Sequence, residues 1–141
     1  MTIPDANVLL YATDRGAVAH KQSRRWLERA LGGREPVGLA WNVLLAFLRI
    51  STKPQLFARP LTAIEALDTV DFWLRQPAAV VVAPSERHLA TLRTLLHPLG
   101  TAGNLTSDAH LAALAVEHGA TLISFDSDFA RFPGLTWRQP E

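Results

Sequence analysis

Four of the seven aspartates stand where an α/β fold places its chemistry. Asp5 follows a short strand-like run, Thr2 to Pro4. Asp126 and Asp128 follow a second one, Thr121-Leu122-Ile123-Ser124. Asp108 opens a helix-like stretch that begins at Ser107. In open parallel sheets, ligands bind beyond the carboxyl ends of the strands, and the first turn of a helix leaves backbone N–H groups unpaired. Carboxylates far apart in sequence but gathered at one sheet edge are the donor set that a hard cation such as Mg²⁺ or Mn²⁺ requires. Aspartate is also a preferred helix cap and turn residue. Asp108 taken alone could simply serve the helix terminus, and Asp126-Ser127-Asp128 could simply make a turn. The four together point to a metal.

Other chemistries find less support. With no cysteine there is no disulfide, thiolate metal site or cysteine nucleophile. The five histidines are scattered, and the two on one helix, His110 and His118, lie two turns apart, so no histidine metal site is expected. There is no G-x-S-x-G, P-loop or G-x-G-x-x-G. Asn7 stands where an aspartyl-phosphate phosphatase would need a second acid.

The 141 residues suffice for one domain with a substantial core. Hydrophobic residues at 48% and charged residues at 19% describe a globular chain. No run approaches the roughly 20 apolar residues that span a bilayer. The N-terminus has neither a basic region nor an apolar run, so no secretory signal is expected and the cytoplasm is the expected location. A formal charge of +1 excludes general polyanion binding. Arg15, Lys21, Arg24, Arg25, Arg29 and Arg34 nevertheless fall close together, and on a helix they could form either a phosphate-binding patch or a solvated face.

The elements that must position the acids alternate between strand and helix, which predicts a single α/β domain over residues 1–141 with a mainly parallel sheet flanked by helices in three layers. Strands are expected near Thr2 to Pro4, Pro36 to Leu39, Val80 to Val82 (buried), Thr121 to Ser124 and Leu135 to Trp137. Helices are expected over Ala6 to Ala12, His20 to Leu31, Trp41 to Ser51, Pro60 to Arg75, Ser85 to about Leu96 and Ser107 to His118. Trp26, Leu27, Ala30 and Leu31 mark the inner side of the second helix. The third is apolar almost all round and should be buried, except that Asn42, Ala46 and Arg49 share one face. In the fourth, Thr62 and Glu65 form a capping box and Ala63, Leu67, Val70 and Leu74 an apolar stripe.

Four segments, in order and spacing, resemble the PIN-domain family, in its subgroup of VapC-type toxins of bacterial toxin–antitoxin pairs. They are Pro4-Asp5-Ala6-Asn7-Val8-Leu9-Leu10, Phe47-Leu48-Arg49-Ile50-Ser51-Thr52, Gly103 through Ala115, and Thr121 through Leu135. The resemblance implies a PIN-like fold and Mg²⁺- or Mn²⁺-dependent endoribonuclease activity that leaves a 3′-hydroxyl and a 5′-phosphate. Asp5 and Asp108 fall on the family's principal metal ligands, Asp126 on its acidic position after the fourth strand with Asp128 beside it, and Ser124 on a small hydroxyl position near the metal. In this chain Ala46 stands where PIN nucleases usually carry a glutamate, which puts a tightly held second ion in question.

Asp5, Asp108 and Asp126 are therefore the expected catalytic residues, and with Asp128 the expected metal ligands. Arg49, Ser124 and Asn7 are the expected substrate-binding residues, Arg49 because a guanidinium grips phosphate bidentately. An ion pair between Arg49 and the acids is the competing expectation. The implied partners are RNA, a cognate VapB-type antitoxin and a second copy of the chain. The apolar helices Trp41 to Ile50 and Ala63 to Leu74 could offer the antitoxin groove or the dimer face, or could be core. The missing glutamate leaves one alternative open, a PIN module of weak or no activity that binds RNA or acts only through its protein partner.

Overall fold

β1 (Thr2–Pro4) is short, but it occupies the centre of the sheet. β2 (Val37–Ala40) lies on one side of it and β4 (Thr121–Ile123) on the other. β3 (Ala79–Val82) and β5 (Thr136–Arg138) form the edges, so the order is β3-β2-β1-β4-β5 and every pairing is parallel. The computed structural model describes residues 1–141. β1 and β2 are buried along their whole length, as strands covered on both faces must be. Thr2, Ile3 and Pro4 pair with Thr121, Leu122 and Ile123, which brings the carboxyl ends of β1 and β4 side by side.

Six helices flank the sheet: α1 (Ala6–Thr13), α2 (His20–Leu31), α3 (Trp41–Ser51), α4 (Ala63–Leu74), α5 (His88–Leu96) and α6 (Thr106–Glu117). α1 packs on α2 and α3, α3 on α4, and α5 on α6. The core joins Ile3, Leu9, Leu39, Leu44, Phe47, Leu122 and Ile123 to α6, in which every residue from Leu111 to Ala115 is buried. Alanines at 112, 113 and 115 let neighbouring elements approach α6 on nearly all sides. The helix that carries Asp108 is therefore held as rigidly as the sheet.

The fold is the expected α/β arrangement, with four differences in detail. β3 is an edge strand, and Val80 and Val81 are 40% and 51% exposed, where a buried strand was expected. α3 does not bury its whole circumference. Trp41 and Leu45 are exposed, Leu45 on the wall of an open cleft. α4 turns Ala66, Val70 and Trp73 inward and leaves Ile64, Leu67 and Phe72 in solvent, a stripe rotated from the expected one. The edge-to-face contact of Trp73 with Phe47, 4.8 Å between ring centroids, sets that rotation. α5 begins at His88 rather than at Ser85, whose Oγ accepts from the Arg87 N–H in a turn and donates to Glu117. The capping box forms as expected: Thr62 Oγ1 accepts from Glu65 N–H at 3.1 Å and Glu65 Oε1 from Thr62 N–H at 3.0 Å.

Two of the histidines prove to be neighbours. His88 Nδ1 lies 2.5 Å from Glu117 Oε2, and His88 Nε2 lies 2.8 Å from His110 Nδ1. This chain ties α5 to α6. No three histidine or acidic side chains of the protein stand close enough to hold a metal by themselves, and no helix is long and apolar enough to cross a membrane.

Gly38 sits in β2 where the layers meet most closely. A β-carbon there would come within 2.8 Å of Val82 Cγ1 and 2.9 Å of Ile3 Cγ1. Neither atom is the end of a flexible chain, so the sheet would have to shift. Gly38→Ala should destabilise the protein by roughly 1–3 kcal/mol, read as a lower urea midpoint. An unchanged midpoint would mean that β2 and β3 separate more easily than this packing implies.

Candidate metal centre

Asp5 is fixed by donors from the first turn of α1 and from the exit of β4. Its own N–H donates to Ile123 O at 2.8 Å, which carries the β1–β4 pairing one residue past the strand. Its backbone is extended and it caps α1, Oδ1 accepting from Ala6 N–H at 2.7 Å. Oδ2 accepts from the Ser124 hydroxyl at 2.8 Å and from Asn7 Nδ2 at 3.1 Å. The Ser124 Oγ also accepts from Asn7 Nδ2 and from Asp126 N–H, both at 3.0 Å. Asn7 Oδ1 accepts in turn from Phe125 N–H at 3.3 Å, and Trp137 Nε1 donates to Ser124 O at 3.0 Å. Asp5 thus serves as helix cap and candidate ligand at once.

In this network Ser124 and Asn7 are engaged with Asp5 and its neighbours. Ser124 is fully buried and its hydroxyl is consumed by Asp5, Asn7 and Asp126. Asn7 spends its amide on Asp5, Ser124 and Phe125. Both stand beneath Asp5 and hold it in position.

Asp108 lies in the first turn of α6, the end of the helix dipole that favours a carboxylate. With Asp5 it lines an open cleft of about 470 Å³, whose opposite wall is α3 through Asn42, Leu45, Ala46 and Arg49. Asp126 starts a 3₁₀ turn, Ser127–Arg131, and its Oδ1 accepts from Asp128 N–H at 2.9 Å. Asp128 is exposed and pairs with Arg131 at 3.0 Å.

The neighbouring acids bear on Asp5 and Asp108. Burial pushes the Asp5 carboxyl above its ordinary value; the Ser124 and Ala6 hydrogen bonds pull it down, and the Asp126 charge pushes it up again. Asp108 is also raised, first by burial and then by the charges of Asp5, Asp126 and Asp128, with Arg131 opposing. Asp5, Asp126 and Asp128 take protein donors, and no three of the acids stand close enough to hold a metal by themselves. The donor chemistry nevertheless fits a hard divalent cation: oxygen only, negatively charged, and short of positive compensation.

Arg49 is exposed on the cleft wall and forms no ion pair with the acids, so it stays free to meet an anion. Asn42, on the same face, has a buried side-chain oxygen with no hydrogen-bond partner. It was legible in the sequence as a polar residue one turn before Ala46, but nothing there marked it as part of the site. Arg131, which opposes the acids, was not foreseen either. The basic stretch is split between two other clefts, Arg15 and Arg24 in one and Arg29 and Arg34 in another. Arg24 is taken up by Glu28 at 2.8 Å. None of those arginines lines the cleft of Asp5 and Asp108.

A PIN-domain family model matches residues 2–135. The chain is 54% identical to Ribonuclease VapC37 of Mycobacterium tuberculosis over 99% of its own length and 97% of that protein's. It is 41% identical to Ribonuclease VapC33 of the same organism, over 99% and 98%. Among solved structures it resembles the VapBC2 complex of Rickettsia felis bound to a DNA fragment from their promoter. The TM-score there is 0.72 at 18% identity, with 99% of this chain and 98% of the other covered.

Asp108 carries a prediction about stability without metal. A carboxyl whose pKa is raised on folding holds its proton more tightly in the folded state. Its stabilising effect is therefore lost as pH rises through the raised value, and at neutral pH the ionised group opposes folding. In a chelating buffer at pH 7, Asp108→Asn should raise the melting temperature by on the order of a few degrees. That gain should vanish below about pH 4, where the carboxyl is protonated folded and unfolded alike. A lower melting temperature at pH 7 would mean that the α6 terminus stabilises the charge more than its neighbours repel it.

Proposed function

The chain belongs to the PIN-domain family, and from that premise we propose that it is the ribonuclease toxin of a toxin–antitoxin pair, a divalent-metal-dependent endoribonuclease. The observation that carries this reading is the pairing of Asp5 and Asp108 in one cleft at the end of β1 and the first turn of α6, with Asp126 and Asp128 near enough for their charges to act on Asp108 and with Asp5 braced by Ser124 and Asn7. Relatives named as ribonucleases and matched nearly end to end support it.

In this reading Asp5 and Asp108 would hold the main ion, Mg²⁺ or Mn²⁺. Such an ion neutralises charge developing on the phosphodiester and brings the pKa of a bound water towards about 7. Asp126 or Asp128 helps to hold it or orients the attacking water. Attack in line with the leaving oxygen would leave a 3′-hydroxyl and a 5′-phosphate. Ser124 and Asn7 keep the Asp5 carboxylate turned to the cleft, the kind of support that fixes a ligand's orientation. Arg49, exposed and unpaired on the opposite wall, grips the scissile phosphate or its neighbour.

An unrestrained ribonuclease would poison its own cytoplasm, so a VapB-type antitoxin is the proposed partner, and a homodimer the proposed assembly. The exposed Trp41 and Leu45 on α3 and Ile64, Leu67 and Phe72 on α4 are the apolar surface available to either partner.

Two outcomes are expected from antitoxin-free protein. RNA should be cut with Mg²⁺ or Mn²⁺ and left intact with EDTA, and Asp5→Ala should lose roughly 100-fold or more of the rate, since loss of a ligand's outer partner alone costs about 10–100-fold. RNA that is bound but never cut would instead indicate a binding module, with Ala46 as the reason. Arg49→Ala should weaken RNA binding and cleavage by about tenfold, the loss of one charge-assisted contact, with an unchanged melting temperature. Unaltered cleavage would remove Arg49 from the site.

A further inference from the structure

Three buried side-chain oxygens in this protein lack a hydrogen-bond partner: those of Ser23, Asn42 and Ser51. Of these three residues only Asn42 lines the cleft that holds Asp5 and Asp108. An unpaired buried amide oxygen destabilises the fold, so each such atom invites the question of what would satisfy it.

We propose that the Asn42 side-chain oxygen is a donor to the metal centre, in the place left by the missing carboxylate at Ala46. The proposal rests on the metallonuclease reading above and adds a residue to it. Asn42 is the second residue of α3 and Ala46 lies four residues on, so both project from the same face, one turn apart. Helical side chains lean towards the helix N-terminus. A glutamate at 46 would reach back over the turn where Asn42 stands. Both residues line the cleft across from Asp5 and Asp108, as does Arg49, which completes that face.

The chemistry suits the exchange. Asparagine carbonyl oxygens are ordinary ligands of hard cations. Asp108 already stands under the charges of Asp5, Asp126 and Asp128, and Asp5 under that of Asp126. Another carboxylate would add to that repulsion whenever the ion is absent. A neutral oxygen completes the set without it, and holds the ion less tightly in return.

The test is Mn²⁺ binding by calorimetry on antitoxin-free protein, with melting temperature in chelator read alongside. Asn42→Ala should weaken the Mn²⁺ Kd by about 10–100-fold while the chelator melting temperature stays level or rises. Asn42→Asp keeps the shape and adds charge. It should tighten Mn²⁺ binding and lower the chelator melting temperature, with Mn²⁺ restoring the loss. A folded Asn42→Ala protein that binds Mn²⁺ as the wild type does, while Asp108→Ala does not, would overturn the role of Asn42 alone. Wild-type protein that binds no Mn²⁺, or binds it equally well after Asp108→Ala, would overturn the metal centre and Asn42 with it.

Discussion

The hydrogen bond from the Ser124 hydroxyl to Asp5 joins the two halves of this molecule. Asp5 ends the first strand and Ser124 follows the fourth, more than a hundred residues later. The bond exists because β1 and β4 are parallel neighbours in register, with Pro4 opposite Ile123. In a parallel sheet the chain leaves neighbouring strands at the same edge. The residues just beyond them therefore meet without a loop having to reach across. Asn7 then ties the two exits together by bonding to Asp5, Ser124 and Phe125, and Asp126 is set by its N–H to the same serine oxygen. The orientation of one carboxylate thus depends on the register of the whole sheet.

That bracing works against a repulsion. Burial and neighbouring charge both raise Asp5 and Asp108. Left to themselves, like charges in a half-buried cleft would spread apart or take up protons. Here the rigid parts of the fold oppose that. Asp108 rides on α6, whose middle is buried on all sides, and Asp5 is locked between strand and helix cap. Stability given up at one point of a packed frame keeps negative potential aimed at a single cleft, a common condition of functional sites.

The wall facing the acids shows the opposite balance. α3 buries Val43, Leu44 and Phe47 and keeps Asn42, Ala46 and Arg49 on its cleft side. Asn42 and the free guanidinium of Arg49 line this wall, and the guanidinium brings positive charge to the cleft that holds the carboxylates. Trp41 and Leu45 stay exposed beside them, so the apolar surface left uncovered by the core borders the site itself.

Much of this was legible in the sequence because it depends on local patterns. The Asp5 and Asp126 positions follow from carboxylates placed just after short apolar runs, and Asp108 from its place at a helix start. The capping box at Thr62 and Glu65, and the shared face of Asn42, Ala46 and Arg49, follow from helical spacing alone. What tertiary structure decided is which atoms those residues spend on one another. Ser124 and Asn7 carried polar groups suited to substrate, and only the β1–β4 register turned them inward to Asp5. The exposure of Val80 and Val81 came from β3 lying at an edge, and the rotation of α4 from Trp73 meeting Phe47. His88 and His110 read as unrelated until α5 packed on α6. Periodicity along a chain reports which side of an element faces inward, because that depends on spacing within a few residues. It carries no information on which distant residue waits there, because that depends on strand order and register, which form only when the separate elements have packed.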